Sequence, residues 1–216
     1  GGQVAHHSSL FRHARQGKLR SMGSTVLYHC ADRIATITYN RPEARNAVNG
    51  ELRADLNAAW ARFRDDDDAW VAIVTGAGPA FCAGADLKDP TGAVGAGDHS
   101  FWEIPSSQSL ESGLEVWKPI IAAVNGPAVG AGMDMASMCD LRIASDDARF
   151  GVPAAKLGNA YGYAGAKAIC DRIGAAFGKE LLFTGRQFDA QEALRMGLVN
   201  RVVPADQLLA TVQSYA

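Results

Sequence analysis

Residues 120–138 read IIAAVNGPAVGAGMDMASM, and the order of residue types in this stretch decides the fold. The apolar run Ile120 to Val124 has the composition of a strand, and Asn125-Gly126-Pro127 cannot continue it. The small-residue turn Gly130-Ala131-Gly132 then leads into a helix-like segment that carries Asp134. Glycines in such a turn let the backbone come close to a ligand, and the unpaired N–H groups of a helix start can point at developing negative charge. Asp134 falls in the first turn of that helix, beside the charge. Upstream, the apolar strand Trp70 to Thr75 runs into a second small-residue turn, Phe81-Cys82-Ala83-Gly84-Ala85-Asp86-Leu87. Two turns of this kind can supply two convergent backbone donors, the arrangement that holds the oxyanion of an activated carbonyl.

Working outward, the chain of 216 residues is 48% hydrophobic and 20% charged, which suits one globular domain with a sizeable core. A net charge of −2 gives no reason to expect a nucleic acid or an anionic membrane as partner. The one charge run, Asp65 to Asp68, reads as a solvated helix end. Cys30, Cys82, Cys139 and Cys170 form no CxxC pair, so neither a disulfide framework nor a zinc site is suggested, and free thiols in the cytoplasm are expected. No apolar run is long enough for a membrane span, because Asn125, Pro127 and Asp134 interrupt the longest one. The histidines lack metal-ligand spacing. Gly92, Gly95 and Gly97 neither follow a strand nor open a clear helix, so they make no dinucleotide fingerprint.

Residues 1–24 are polar and basic without a usable period, and are expected to be a disordered extension rather than a functional basic arm. Val26 to His29 and Ile34 to Tyr39 read as a hairpin around Ala31-Asp32-Arg33. Asn49 can cap a helix running to about Arg64, with Leu52, Leu56, Ala59, Trp60 and Phe63 on one face. The Gly, Pro and Asp content of Lys88 to His99 predicts a mobile loop. Phe101 to Trp117 is helical in pattern, with Phe101, Trp102 and Ile104 either lining a site or belonging to the core. Leu141 to Ala144 predicts a strand, Phe150 to Pro153 a strand end and Ala164 to Ile173 a helix. Asp189-Ala-Gln-Glu192 is a capping box whose short helix ends at Gly197. Val199 to Val203 is extended, and after Pro204 the residues Leu208, Leu209 and Val212 form an apolar stripe that needs a surface to cover.

The turn FCAGADL at 81–87, followed by AAVNGPAVGAGMDMASMCDLRIAS at 122–145 and FGVP at 150–153, resembles the crotonase superfamily, the enoyl-CoA hydratase/isomerase family. The likeness runs from about Val26 to about Pro204. It implies an α/β fold, a spiral of repeated ββα units, with a core over residues 25–204 and the start of a C-terminal helical region over 205–216. Family members continue for several more helices, so that part is read as truncated or absent. The resemblance further implies binding of acyl-CoA thioesters, with coenzyme A as part of the substrate and no other cofactor, in fatty acid metabolism. It also implies assembly as a homotrimer or hexamer.

Carried onto this sequence, the family's oxyanion-hole donors are the backbone N–H groups of Ala85 and Ala131. Ala44, Arg45, Ala83, Asp86, Leu87 and Gly130 fall at positions that line the coenzyme A and thioester site; Arg45 either touches a phosphate or is a surface arginine. Hydratases of the family use two glutamates. The first falls at Asp134, a carboxylate with roughly 1.5 Å less reach, and the second at Ala154, where the carboxylate is missing. Water addition needs one group to deprotonate water and another to manage the α proton, so weak hydratase activity is expected of a lyase or isomerase. Tyr161 resembles a tyrosine that lies near the substrate carboxylate in methylmalonyl-CoA decarboxylase; a core tyrosine is the other reading. The remaining alternative is a non-catalytic acyl-CoA binding protein.

Overall fold

The structure is a computed structural model and describes residues 20–21, 24–89 and 114–216. The readings for residues 1–24, for the Lys88–His99 loop and for the helix beginning at Phe101 lie mostly outside these residues. Residues 114–117, the expected end of that helix, are irregular, and Trp117 is exposed.

A seven-stranded sheet forms the centre. Its first strand, β1 (Arg20–Ser21), pairs antiparallel with β2 (Val26–Ala31), and β2 pairs antiparallel with β3 (Ile34–Tyr39). Asp32 and Arg33, both at positive φ (51° and 69°), make the two-residue turn whose twist matches a hairpin. From β3 onward the sheet is parallel through β4 (Val71–Gly76), β5 (Ile120–Val124), β7 (Leu141–Ser145) and β10 (Arg201–Val203), each paired with the one before it. Strands buried on both faces carry near-continuous apolar sequence, and every residue of β4 and of β5 is buried.

Alternation along these strands sends residues to two separate cores. Ala72, Val74, Ala122, Val124 and Ala144 face the larger one, against α1 (Gly50–Asp65) and α2 (Ala131–Met138). Asn49 caps α1, its side chain accepting the Leu52 N–H at 3.0 Å, and the predicted face of Leu52, Leu56, Ala59, Trp60 and Phe63 is buried. On the opposite face, Val71, Ile73, Ile121, Ala123 and Ile143 meet Leu208 and Val212 of α5 (Leu208–Tyr215). The stripe after Pro204 therefore finds its surface within the chain, on the back of the sheet, and gives no support to the expected trimer or hexamer.

The later turns of the spiral repeat one order of elements. Strand β5 leads to the short β6 (Ala128–Val129) and α2; β7 leads to β8 (Arg149–Gly151) and α3 (Tyr163–Thr184). The short strands β6 and β8 pair with each other, and β8 pairs with β9 (Gln187–Asp189), in a second, three-stranded sheet. Single bridges, Val48 to Ala85 and Cys82 to Ala128, extend the same layer toward the earlier turns of the spiral. The helix expected over Ala164–Ile173 continues to Thr184 but is broken at Gly174 (φ 78°, ψ 159°), a conformation that only glycine adopts readily. The capping box forms as expected: the Asp189 side chain accepts the Glu192 N–H at 2.8 Å at the start of α4 (Ala190–Arg195), and Gly197 (φ 79°) comes just after its end.

Leu208 is 2% exposed and sits where α5 covers the back of the parallel strands. Leu208→Ala should therefore cost roughly 2–5 kcal/mol of stability, read as a lower midpoint of denaturation in urea.

Candidate active site

The loops at the C-terminal ends of β3, β4 and β5 are fastened by two buried or half-buried amides. Asn125 accepts the Gly76 N–H at 3.0 Å and donates to the Gly78 carbonyl at 3.0 Å. Asn46, fully buried, donates to the carbonyls of Ala77 (2.9 Å) and Ala80 (2.8 Å) and accepts the Arg41 N–H (2.9 Å). Buried backbone polar groups need such partners, and asparagine also tolerates the left-handed conformation that Asn46 adopts (φ 57°). The residue before it, Arg45, is left-handed as well (φ 51°) and exposed; its carbonyl accepts the Ala83 N–H at 3.0 Å. Arg45 is thereby held beside the first small-residue turn.

That turn lies directly on the second. The Cys82 N–H donates to the Pro127 carbonyl at 3.1 Å, and the Val129 N–H donates to the Cys82 carbonyl at 3.0 Å. A Cβ at Gly84 (φ 98°) would meet the Val129 carbonyl oxygen at 2.8 Å, and one at Gly132 would meet the Cys82 carbonyl oxygen at 2.2 Å. No side chain fits between the two segments. Val48 bonds on either side of Ala85, its N–H donating to Gly84 O (2.8 Å) and its carbonyl accepting the Asp86 N–H (2.9 Å), so strand alternation turns the Ala85 N–H away. Ala131 opens α2 and has no intrahelical acceptor. Among the described residues neither the Ala85 N–H nor the Ala131 N–H has an acceptor, while the Gly84 and Gly130 that precede them are in near contact: a Cβ on Gly130 would lie 3.8 Å from Gly84 Cα.

Asp134 stands in the first turn of α2, half-buried, and its N–H donates to the Gly130 carbonyl at 3.1 Å. The Tyr161 hydroxyl donates to Asp134 Oδ1. Burial, the negative charge of Asp134 and this hydrogen bond push the Tyr161 phenol far above its ordinary pKa, so it remains a neutral donor. Helix α3 comes close behind the carboxylate at Gly165, where a Cβ would lie 2.6 Å from Oδ1 and 3.0 Å from Oδ2. Ala154 lies in the 3-10 helix Pro153–Leu157, half-buried against the larger core together with Tyr161. The Asn159 N–H donates to the Ala154 carbonyl at 3.0 Å and closes this turn. The sequence offered Tyr161 as a residue near a substrate carboxylate or as a core residue; its hydroxyl is taken up by Asp134, a contact that spans 27 residues and leaves no local pattern.

Of the other candidates, Ala44 is half-buried, Ala83 and Leu87 are exposed, and Gly130 lies at the contact between the two turns. Asp86 has a structural partner: Arg41 Nη1 and Nη2 both donate to its Oδ2 at 3.1 Å, and Arg41 Nη1 also donates to the Ala47 carbonyl. Sequence reasoning missed Arg41, Asn46 and Gly165. The Lys88 N–H bonded to Asp86, with Arg41 beside it, holds the Asp86 carboxyl below the usual carboxylate range. A lowered native pKa stabilises the fold above the unfolded value of about 3.9, and the contribution is lost as the pH falls through the native value. Asp86→Asn should accordingly lower the melting temperature at pH 7, and the gap to the parent should close as the pH is taken below about 4. Melting curves of both proteins across pH check this.

The family model for enoyl-CoA hydratase/isomerase matches residues 30–216. The chain is 42% identical over 195 residues to (E)-benzylidenesuccinyl-CoA hydratase of Thauera aromatica, covering 88% of this chain and 74% of that protein. It is 36% identical over 194 residues to short-chain-enoyl-CoA hydratase of Clostridium acetobutylicum, covering 89% and 74%. Among solved structures, an enoyl-CoA hydratase from Mycobacterium smegmatis superposes with a TM-score of 0.77 at 36% identity, over 89% of this chain and 80% of that one. The spiral is thus the crotonase-like fold expected from the two turns. The names of these relatives give no support to the weak hydration expected from Ala154.

Proposed function

The chain belongs to the enoyl-CoA hydratase/isomerase family, and from that premise we propose that it binds an acyl-CoA thioester and stabilises the enolate with the Ala85 and Ala131 N–H groups. The observation that carries the reading is the pairing of two donors without acceptors among the described residues, on touching backbone segments, with a carboxylate one helical turn away. In hydration of a 2-enoyl thioester, Asp134 takes a proton from water as the water oxygen bonds to Cβ. The π electrons move onto the thioester oxygen, where the two N–H groups meet the charge. Asp134 then returns the proton to Cα, one carboxylate serving in turn the two proton transfers that a pair of glutamates would divide. One such backbone donor is worth on the order of 10²–10³ in rate, which is why the side chains at 85 and 131 can be methyl groups.

Ala154 favours a second reading, isomerisation of a 3-enoyl thioester, since a single carboxylate can remove the Cα proton and return it at Cγ. Turnover of 2-enoyl- and 3-enoyl-CoA thioesters, followed by chromatography with mass detection, separates the two. Binding of both without turnover of either would leave an acyl-CoA binding protein. Ala154→Glu should raise hydration and leave isomerisation little changed; hydration that does not rise would mean that position 154 does not face the β carbon.

Asp134→Asn keeps the size of the side chain and leaves the backbone donors in place. It should lower turnover by roughly 10²–10⁴-fold with the acyl-CoA dissociation constant nearly unchanged. Steady-state rates and calorimetry on the same preparations check this, and unchanged turnover would remove Asp134 from the mechanism.

A further inference from the structure

Asp134 is one methylene shorter than the glutamate that hydratases of this family place there, and it is held on two sides. Its Oδ1 accepts the hydroxyl of Tyr161, which precedes α3, and its carboxylate lies against the bare Cα of Gly165 in the first turns of that helix. A side chain of any size at 165 would need the volume that Oδ1 and Oδ2 occupy. Tyr161 is half-buried and its ring packs on the larger core, so the hydroxyl is delivered from a fixed direction. Among the described residues, Asp134 is the charged group that acts on the phenol.

We propose that Tyr161 is a positioning residue for Asp134, and that Tyr161 and Gly165 together form a seat on α3 that sets where the carboxylate of α2 points. This rests on the reading of Asp134 as the proton-transferring group. A carboxylate accepts several hydrogen bonds, so engagement of Oδ1 by the phenol is compatible with proton transfer and limits the rotation of the side chain. The phenol stays protonated at neutral pH and so faces Asp134 as a hydrogen-bond donor. The seat gives a purpose to two residues that the oxyanion hole does not use. It also assigns Tyr161 a role other than contact with a substrate carboxylate.

The test compares Tyr161→Phe and Gly165→Ala with the parent chain on whichever enoyl-CoA thioester it turns over. Tyr161→Phe removes the donor and keeps the ring. In Gly165→Ala the atoms displaced are the end of a side chain, so the fold survives and the carboxylate moves. Displacement of a catalytic group by about 1 Å can cost about 10²-fold, and kcat should fall roughly 10–100-fold in each variant with KM nearly unchanged. Added to Asp134→Asn, Tyr161→Phe should cost nothing further, because its effect passes through the carboxylate. Unchanged kcat in both variants overturns the proposal. So does a rise in KM at constant kcat, which would make Tyr161 a substrate contact, or a full additional loss in the double variant. Should Tyr161→Phe fail to fold, Gly165→Ala decides. A parent chain that turns over no thioester overturns the underlying reading and the proposal with it, an outcome distinct from an active parent with unaffected variants.

Discussion

The site depends on the contact of two backbone segments with nothing between them. Residues 82–86 and 127–132 are hydrogen-bonded through Cys82 and come so close that a methyl group at Gly84 or Gly132 would collide with a carbonyl oxygen. Because the segments touch, the two N–H groups that come after Gly84 and Gly130 belong to one small region. Neither has an acceptor among the described residues. Ala85 is exposed and Ala131 half-buried, so a ligand can reach both donors, and two fixed donors beside a carboxylate are the kind of arrangement that stabilises developing negative charge.

Holding this geometry falls to polar groups further out. Asn46 and Asn125 fasten the three loops to one another, and the Arg41–Asp86 pair ties the loop after β3 to the turn after β4. The helix that carries Asp134 is fixed at both ends. At its start the Gly130 N–H donates to the Gly151 carbonyl at 2.9 Å, and just past its end Arg142 Nη1 donates to the Cys139 carbonyl at 2.5 Å. Arg142 is buried and has no carboxylate partner among the described residues; its Nε donates to the Leu198 carbonyl at 2.5 Å. Desolvation lowers its pKa, and its work is that of a multiple donor binding carbonyls at a helix end.

What was legible in the sequence was local. Runs such as IIAAV and the glycines of FCAGADL and VGAGMD carry their conformation in their own residue types, and the caps at Asn49 and Asp189 bond within three residues. What was not legible joins distant positions. Arg41 and Asp86 are 45 residues apart, and Asp134 and Tyr161 are 27 apart; no period or spacing announces either pair. Gly165 resembles any small helical residue until the Asp134 carboxylate is seen against it. The stripe of Leu208 and Val212 was readable as apolar, but an amphipathic helix does not say which surface it covers, and the back of the sheet proved to be that surface. Gly174 marked the end of one helix, whereas its unusual φ and ψ let a second one begin at once.

The proposed function stands on one oxygen atom held by two backbone donors. A crystal structure of the chain with a saturated acyl-CoA thioester tests it most directly. The thioester carbonyl oxygen should lie within hydrogen-bonding distance of both Ala85 N and Ala131 N, with the α carbon facing the Asp134 carboxylate. A thioester oxygen that touches neither N–H, or a ligand seated away from the two turns, would contradict it.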